Sequence, residues 1–571
     1  MPSVLAGGLL LAVCLLSGLA QADEAMQARI ALLAQSRGTA VGGIALGSEA
    51  VLAELYRERG YRLIWEPARA RTLLGVLEAS QADGLRPDDF HVEEIRTAFE
   101  RGGLTALPSA ERVELDILLS DSLLRYLHHH LFGKVDPVSL DANWNHADGA
   151  AFDELLQAMR EALAAASLKG HLDARLQWPR AYVDLRNGLA RYREIAARGG
   201  WPIVPDGETI KPGMQDARVP LIRARLEASG DHGRTALPAG ELDYDPELQA
   251  AVERFQARHG LFVDGIVGPR TRAAMNVSVE TRIDQIRLNL ERMRWVVGDL
   301  PQDYLVVNIP AYRVDLYRGG AVVWSGRAIV GQPARETPVF RDELAYLELN
   351  PTWTVPPTIL AEDLLPNLRE DPSYLQTRGL RVIDYQGRGV SPEAVDWTVS
   401  AKAFPYLLRQ PPGDDNALGR IKFMFPNRYS VYLHDTPQRA LFSRAMRALS
   451  SGCVRVEDPL RLAELVLDEP QRWNAETFQA ALETEETRVV RLAKPLPVLL
   501  SYWTAEADAD GRVSFYNDIY ARDDALLRAL DGGRQGLPIA PPPGPLPQTV
   551  DTPREPQEAA RVRERRAHAL G

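Results

Sequence analysis

A chain of 571 residues with 45% hydrophobic and 25% charged side chains is long enough for three or four domains, each with its own core. Its net charge of −11, without a long Lys/Arg run, excludes a nucleic-acid binder, because neutralising phosphates needs a basic face. Two cysteines exclude a cysteine metal cluster, and neither a metal nor a cofactor is expected.

Residues 4–20 are apolar over the length of a secretory signal, and Ala20-Gln21-Ala22 supplies a small-x-small cleavage pattern. A signal peptide is expected over 1–22. No Lys or Arg precedes the apolar run, so an uncleaved leader acting as a membrane anchor is the alternative. Residues 23–214 read as a helical scaffold, with apolar spacing at Leu73, Leu74 and Leu77 and at Leu115, Leu118, Leu119 and Leu123. Turns are expected at Gly84–Pro87 and Gly133–Pro137. His128, His129 and His130 point about 100° apart on a helix and cannot converge on one ion, so they are expected on an exposed helix face.

Residues 215–278 form a better-defined module. Asp245-Pro246 starts a helix with proline at its first position, Leu248, Val252 and Phe255 make its buried stripe, and Gly260 ends it. Asp264-Gly265 and Gly268-Pro269 turn the chain into another short helix. The order Phe-Gln, Gly-Leu, Asp-Gly, Gly-Pro and Thr resembles the small three-helix peptidoglycan-binding domain. A helical spacer that binds nothing is the alternative, because these are mostly core and turn residues. Residues 279–300, with Ile283, Ile286, Leu290 and Met293 on one face, predict an amphipathic helix returning to the scaffold.

After Pro301 the apolar period changes from helical to alternating, which predicts a mainly antiparallel β unit over 301–503. An irregular, partly helical stretch, 358–412, reads as an insertion capping the sheet, and such insertions serve as lids. Leu496–Ala505 predicts a strand, and Glu506–Gly511 a hairpin turn opening a C-terminal extension over 504–535. Residues 536–571, Pro-rich and charged without periodicity, predict a disordered tail. Within the β unit His434 lies on the alternating segment Ser430–His434, and Cys453 follows the turn Ser450-Ser451-Gly452. Cys14 falls in the leader, so Cys453 is the one thiol expected in the mature chain, and His434 is the only histidine between His259 and His568. A thiol with a nearby imidazole is the arrangement of a nucleophile and its base, the imidazole lowering the thiol pKa by forming an ion pair.

Four segments, Pro351–Thr358, Asn416–Phe423, Tyr432–Pro437 and Ser450–Arg455, together resemble the large L,D-transpeptidases of Gram-negative cell-wall metabolism. The resemblance covers nearly the whole mature chain, and it implies a multidomain α+β protein located in the periplasm, or held at the inner membrane by its leader. Many members carry Ser-His-Gly-Cys where Ser451 stands here, which leaves His434 as the only imidazole base. The resemblance implies that the backbone carbonyl of Asp435 orients His434; a carboxylate contact from Asp435 is the alternative. The Ser451, Gly452 and Cys453 amides would form an oxyanion hole, with Gly452 leaving room for substrate backbone. Trp353, Tyr432, Arg455 and Asn416 are candidate substrate-binding residues. Sheet core for the two aromatic residues and a structural ion pair for Arg455 are the alternatives.

The implied reaction begins with attack of Cys453 on the third residue of a tetrapeptide stem. This expels the terminal D-alanine and leaves a thioester, which the side-chain amine of a neighbouring stem resolves as a 3→3 cross-link. Implied partners are peptidoglycan stem peptides, the sacculus and other cell-wall synthases, with a carbapenem as covalent inhibitor. The same residues would also serve an L,D-carboxypeptidase or an enzyme attaching protein to the wall. An inactive wall-binding scaffold is the reading from another class. A serine-type wall enzyme is disfavoured, since no Ser-x-x-Lys occurs.

Overall fold

The computed structural model describes residues 24–33, 44–141, 144–145, 152–233, 242–296 and 300–539. The leader expected over 1–22, with Cys14, lies outside them. Among the described residues no helix is long and apolar enough to cross a membrane.

The N-terminal region is helical and built around Ser109–Leu131, a helix buried on nearly all sides from Leu115 to His130. Full burial is tolerated because its buried carboxylates are paired. Asp116 accepts the Trp65 amide at 2.9 Å and the Tyr56 hydroxyl at 2.7 Å, and Asp121 accepts the Gly47 amide at 2.6 Å and Arg125 Nε at 2.7 Å. The histidine triplet is therefore not the exposed face expected from its polarity. His128, His129 and His130 are at most 3% exposed, and burial holds the first at a pKa of about 4 and the second well below the usual histidine range. His128 and His129 are thus neutral rings, and the triplet packs with Phe90 against His129 and Tyr126 against His130.

The three-helix module has its own core, in which Asp245 caps the helix Pro246–Arg258 by accepting the Leu248 amide at 2.7 Å. Val204 and Ile210 also enter that core, and Ile210 pairs with Val267, so the segment before residue 215 packs onto the module. Gln256 explains the spacing of the motif. Its side chain accepts the Asp264 and Gly265 amides and donates to the Asp264 carboxylate and the Ile266 carbonyl, which locks the Asp-Gly turn onto the helix. The returning helix, Val279–Arg294, packs against Arg180–Ala197 and shares a core with Trp503 and Phe515.

The strands of the third unit are Tyr304–Asn308 (β1), Arg313–Arg318 (β2), Ala321–Gly331 (β3), Phe340–Leu349 (β4), Trp353–Thr354 (β5), Arg381–Ile383 (β6), Gly389–Val390 (β7), Leu407–Gln410 (β8), Ile421–Met424 (β9), Leu433–His434 (β10), Ala448–Ser450 (β11), Val454–Val456 (β12) and Arg488–Ser501 (β13). Their pairing runs β3-β12-β10-β9-β4-β13-β1-β2 and returns to β3, closing the sheet on itself, with β11 alongside β3. Pairing is antiparallel except at β1–β13, β10–β12 and β11–β3. Closure removes the exposed edges and gives one apolar interior, which contains Leu305, Leu347, Phe423, Leu433, Val454 and Leu500.

The capping insertion differs from the expected helical piece. It begins at Trp353 and contains a four-stranded sheet, β5-β8-β6-β7, beside the short helices Leu365–Glu370 and Tyr374–Thr377. Leu364, Leu368, Leu375, Val382 and Leu408 give it a core of its own. The C-terminal extension forms the hairpin Ala505–Ala507 (β14) and Val513–Phe515 (β15), then the helix Asp523–Leu530. The tail expected to be disordered from 536 is instead placed as far as Ile539, with the Leu537 amide donating to the Gly47 carbonyl at 2.7 Å. Residues 540–571 lie outside the described residues.

Candidate active site

Three neighbouring strands carry the candidate residues on one face. In β10 Leu433 points into the closed sheet, so Tyr432 and His434 point outward on either side of it; in β12 Val454 is internal, which sends Cys453 and Arg455 outward. Parallel pairing aligns His434 with Arg455, and antiparallel pairing with β9 aligns it with Lys422. The imidazole therefore sits between two cations. Lys422, absent from the sequence-derived candidates, places its Nζ 4.1 Å from the centre of the Tyr432 ring. The alternation in Ile421-Lys422-Phe423 is the signal that would have found it.

His434 Nδ1 donates to the backbone carbonyl of Asp435 at 2.5 Å, which leaves Nε2 as the basic nitrogen. The Asp435 carboxylate is occupied elsewhere, accepting the Arg420 amide at 2.9 Å and Arg439 Nη2 at 3.2 Å. Of the two contacts open from sequence, the structure has the carbonyl one. Burial first, then the Arg455 and Lys422 charges, push the imidazole down to a pKa of about 3, against the opposing pull of the Asp435 and Leu418 carbonyls.

Cys453 is the free thiol among the described residues and is partly buried. Burial pushes its pKa up, with the Tyr432 amide and the Lys422 and Arg455 charges working the other way. Its S–H donates to the Ser430 carbonyl, 3.8 Å away, and no hydrogen bond joins it to His434. The expected thiolate–imidazolium pair is thus corrected: both groups rest neutral, because enclosure penalises each charged form. Proton transfer then has to accompany attack, after the sulfur turns from Ser430. Iodoacetamide alkylation of Cys453 is accordingly expected to rise about tenfold per pH unit from pH 7 to 9, as thiolate forms. A rate level between pH 5 and 8 would instead reveal a standing ion pair.

The loop before the nucleophile also departs from expectation. The Gly452 amide is taken by Ser450 Oγ at 3.2 Å, and that hydroxyl donates to the Cys453 carbonyl at 2.5 Å. Among the described residues the Ser451 and Cys453 amides have no hydrogen-bond partner, which leaves these two, without Gly452, as oxyanion donors. Gly452 is required by its φ of +112°, a region side chains rarely adopt; a Cβ there would lie 3.4 Å from the Glu336 carbonyl.

The remaining candidates separate. Arg455 Nη1 donates to Gln438 Oε1 at 2.8 Å, and among the described residues its Nε is buried without a partner and it makes no ion pair. Asn416 is spent on structure: its Nδ2 donates to the Pro351 and Pro411 carbonyls and its Oδ1 accepts the Leu418 amide, tying together the two ends of the cap. Trp353 belongs to the cap sheet, opposite Gln410, and packs partly against the cap core.

Arg335, also missed from sequence, joins the cap to the nucleophile loop. Its Nη1 donates to Asp363 at 2.6 Å and to Ser451 Oγ at 2.9 Å, while Nη2 donates to Glu362 at 2.6 Å. Both acids are about half exposed, which limits such a latch to about 1 kcal/mol. Arg335→Ala is expected to speed amide hydrogen exchange in residues 358–370 by roughly fivefold while strands β4 and β13 stay protected.

Residues 302–490 match the model of the L,D-transpeptidase catalytic domain family, residues 50–189 that of the "Scaffold domain" family, and residues 215–275 that of the family described as "Putative peptidoglycan binding domain". The chain is 39% identical over 247 residues to a "Putative L,D-transpeptidase" of Haemophilus influenzae, covering 43% of this chain and 50% of that protein, so it spans about half the relative's length. It is 43% identical over 77 residues to N-acetylmuramoyl-L-alanine amidase CwlM of Mycobacterium tuberculosis, covering 12% of this chain and 19% of the amidase. A solved L,D-transpeptidase fragment from Xylanimonas cellulosilytica aligns at 16% identity over 52% of this chain and 98% of the fragment, with a TM-score of 0.17. The closed sheet that carries Cys453 and His434 is thus a catalytic domain of the L,D-transpeptidase family, joined in one chain to a scaffold domain and a domain of the peptidoglycan-binding family.

Proposed function

We propose that this protein is a peptidoglycan L,D-transpeptidase. The observation that carries the reading is the free Cys453 thiol beside its own unpaired amide, on the same outward face as an oriented imidazole. Cys453 attacks the carbonyl of the third stem residue as His434 Nε2 takes the thiol proton, and the Cys453 amide holds the developing oxyanion. Collapse breaks the peptide bond to the terminal D-alanine, whose nitrogen receives the proton from His434 and leaves as the free amine. The side-chain amine of a second stem then displaces the thioester, giving a 3→3 cross-link and restoring the thiol. Lys422 and Arg455 offer the positive charge that a stem carboxylate requires, and Tyr432 borders the same space. Export by the leader to the periplasm, retention on the sacculus through the three-helix module, and covalent trapping by a carbapenem belong to the same proposal.

Purified mature protein with tetrapeptide-bearing muropeptides, analysed by mass, separates the readings. Cross-linked dimers with released D-alanine support transpeptidation. Tripeptides alone would move the assignment to a carboxypeptidase, and unchanged substrate under reducing conditions to a scaffold.

A further inference from the structure

The peptide group that presents the Cys453 amide is fixed from its other side. Its oxygen is the Gly452 carbonyl, which accepts Thr337 Oγ1 at 2.8 Å. A trans peptide points its N–H opposite its C=O, so holding that oxygen aims the nitrogen's proton into the cleft. The hydroxyl of Thr337, a fully buried residue, accepts the Gly331 amide at 2.8 Å, so its own proton is committed to Gly452. The Thr337 amide in turn donates to the Tyr520 hydroxyl at 3.0 Å, and that hydroxyl donates to the Gly331 carbonyl at 2.7 Å. Tyr520 is held by its amide on Tyr502 Oη at 2.7 Å, and Tyr502 donates to Asp518 at 2.6 Å. Tyr502, Asp518 and Tyr520 all lie beyond residue 490, where the match to the catalytic domain ends.

We propose that Thr337, buttressed by Tyr520 of the C-terminal extension, is a positioning residue that orients the Gly452–Cys453 peptide as an oxyanion donor. The need arises from Gly452: with φ of +112° and no side chain, this peptide lies next to the most pliant residue of the loop, and the Thr337 bond is what selects one orientation. The extension is then part of the catalytic apparatus without touching the reacting atoms. The inference deepens the acyl-transfer reading and rests on it.

The test compares two reactions of the same sulfur in the full-length protein. Acylation by p-nitrophenyl acetate passes through an oxyanion, whereas alkylation by iodoacetamide does not. Thr337→Val is expected to slow acylation by about tenfold or more, Tyr520→Phe by about threefold to tenfold, and Thr337→Ser to restore it, a partial loss of one donor's effect. Alkylation is expected to stay within about twofold of wild type in all three variants, since the thiol itself is unaltered. Acylation by Thr337→Val at the wild-type rate, or acylation and alkylation falling together, would overturn the proposal. The ester reaction needs no cell-wall substrate, so failure of wild type to process muropeptides would count against the proposed function and leave this comparison readable.

Discussion

Cys453→Ala is expected to reduce transfer of acyl groups from tetrapeptide stems by at least about 10⁴-fold, because no other described side chain offers a nucleophile at that position. The loss is chemical. The sulfur's hydrogen bond to the Ser430 carbonyl is long, at 3.8 Å, and Cys453 lies outside the apolar interior that Val454 enters beside it. Thermal unfolding is therefore expected to shift little, and binding to isolated sacculi, assigned to the three-helix module, to persist. Any carbapenem adduct of the wild-type protein disappears in the variant. Turnover surviving the substitution, or an adduct forming on it, would remove Cys453 from its role.

His434→Ala comes next in size, with an expected loss of about 10²- to 10⁴-fold in transfer, the usual range for removing a general acid–base. Its value lies in a second measurement on the same variant. With the imidazole pushed down to about 3 and the thiol pushed up, the resting sulfur owes none of its thiolate to His434. Alkylation at pH 8 is thus expected to be nearly unchanged while acyl transfer collapses. If alkylation fell in step with transfer, the resting state would be an ion pair after all. The sign of the pH dependence is the same. A base with a pKa of about 3 is in working form throughout the neutral range, so activity falls on the acid side only as pH approaches that value, and the rise above pH 7 belongs to the thiol.

Sequence made the outward placement of Cys453 and His434 legible because it depends on rare residue types in alternating segments. One thiol stands in the second half of the chain and one imidazole between His259 and His568, and alternation around Leu433 and Val454 sends both outward. The helix Pro246–Arg258 was equally legible, since its cap and buried stripe are local. What escaped depends on contacts far apart in the chain. Thr337 meets Gly452 across 115 positions and Tyr520 across 183, and Arg335 meets Ser451 across 116, separations that no periodicity encodes. The cap sheet escaped because β5 and β7 are two residues long, too short for a period of two to repeat. His128–His130 misled because polarity argued for solvent, whereas packing against Phe90 and Tyr126 within a crowded helix layer prevailed. The Gly452 amide was assigned from the order of residues in a turn, and a neighbouring serine hydroxyl had already claimed it.

The most direct measurement is the mass of the enzyme during turnover. Wild-type protein mixed with a tetrapeptide stem, quenched in acid and digested, should carry the tripeptide acyl group as a thioester on the fragment containing Cys453, with one D-alanine released per adduct and the label lost when an amine acceptor is added. Continued turnover with an unmodified Cys453 fragment, or with the acyl group on another residue, would contradict the account.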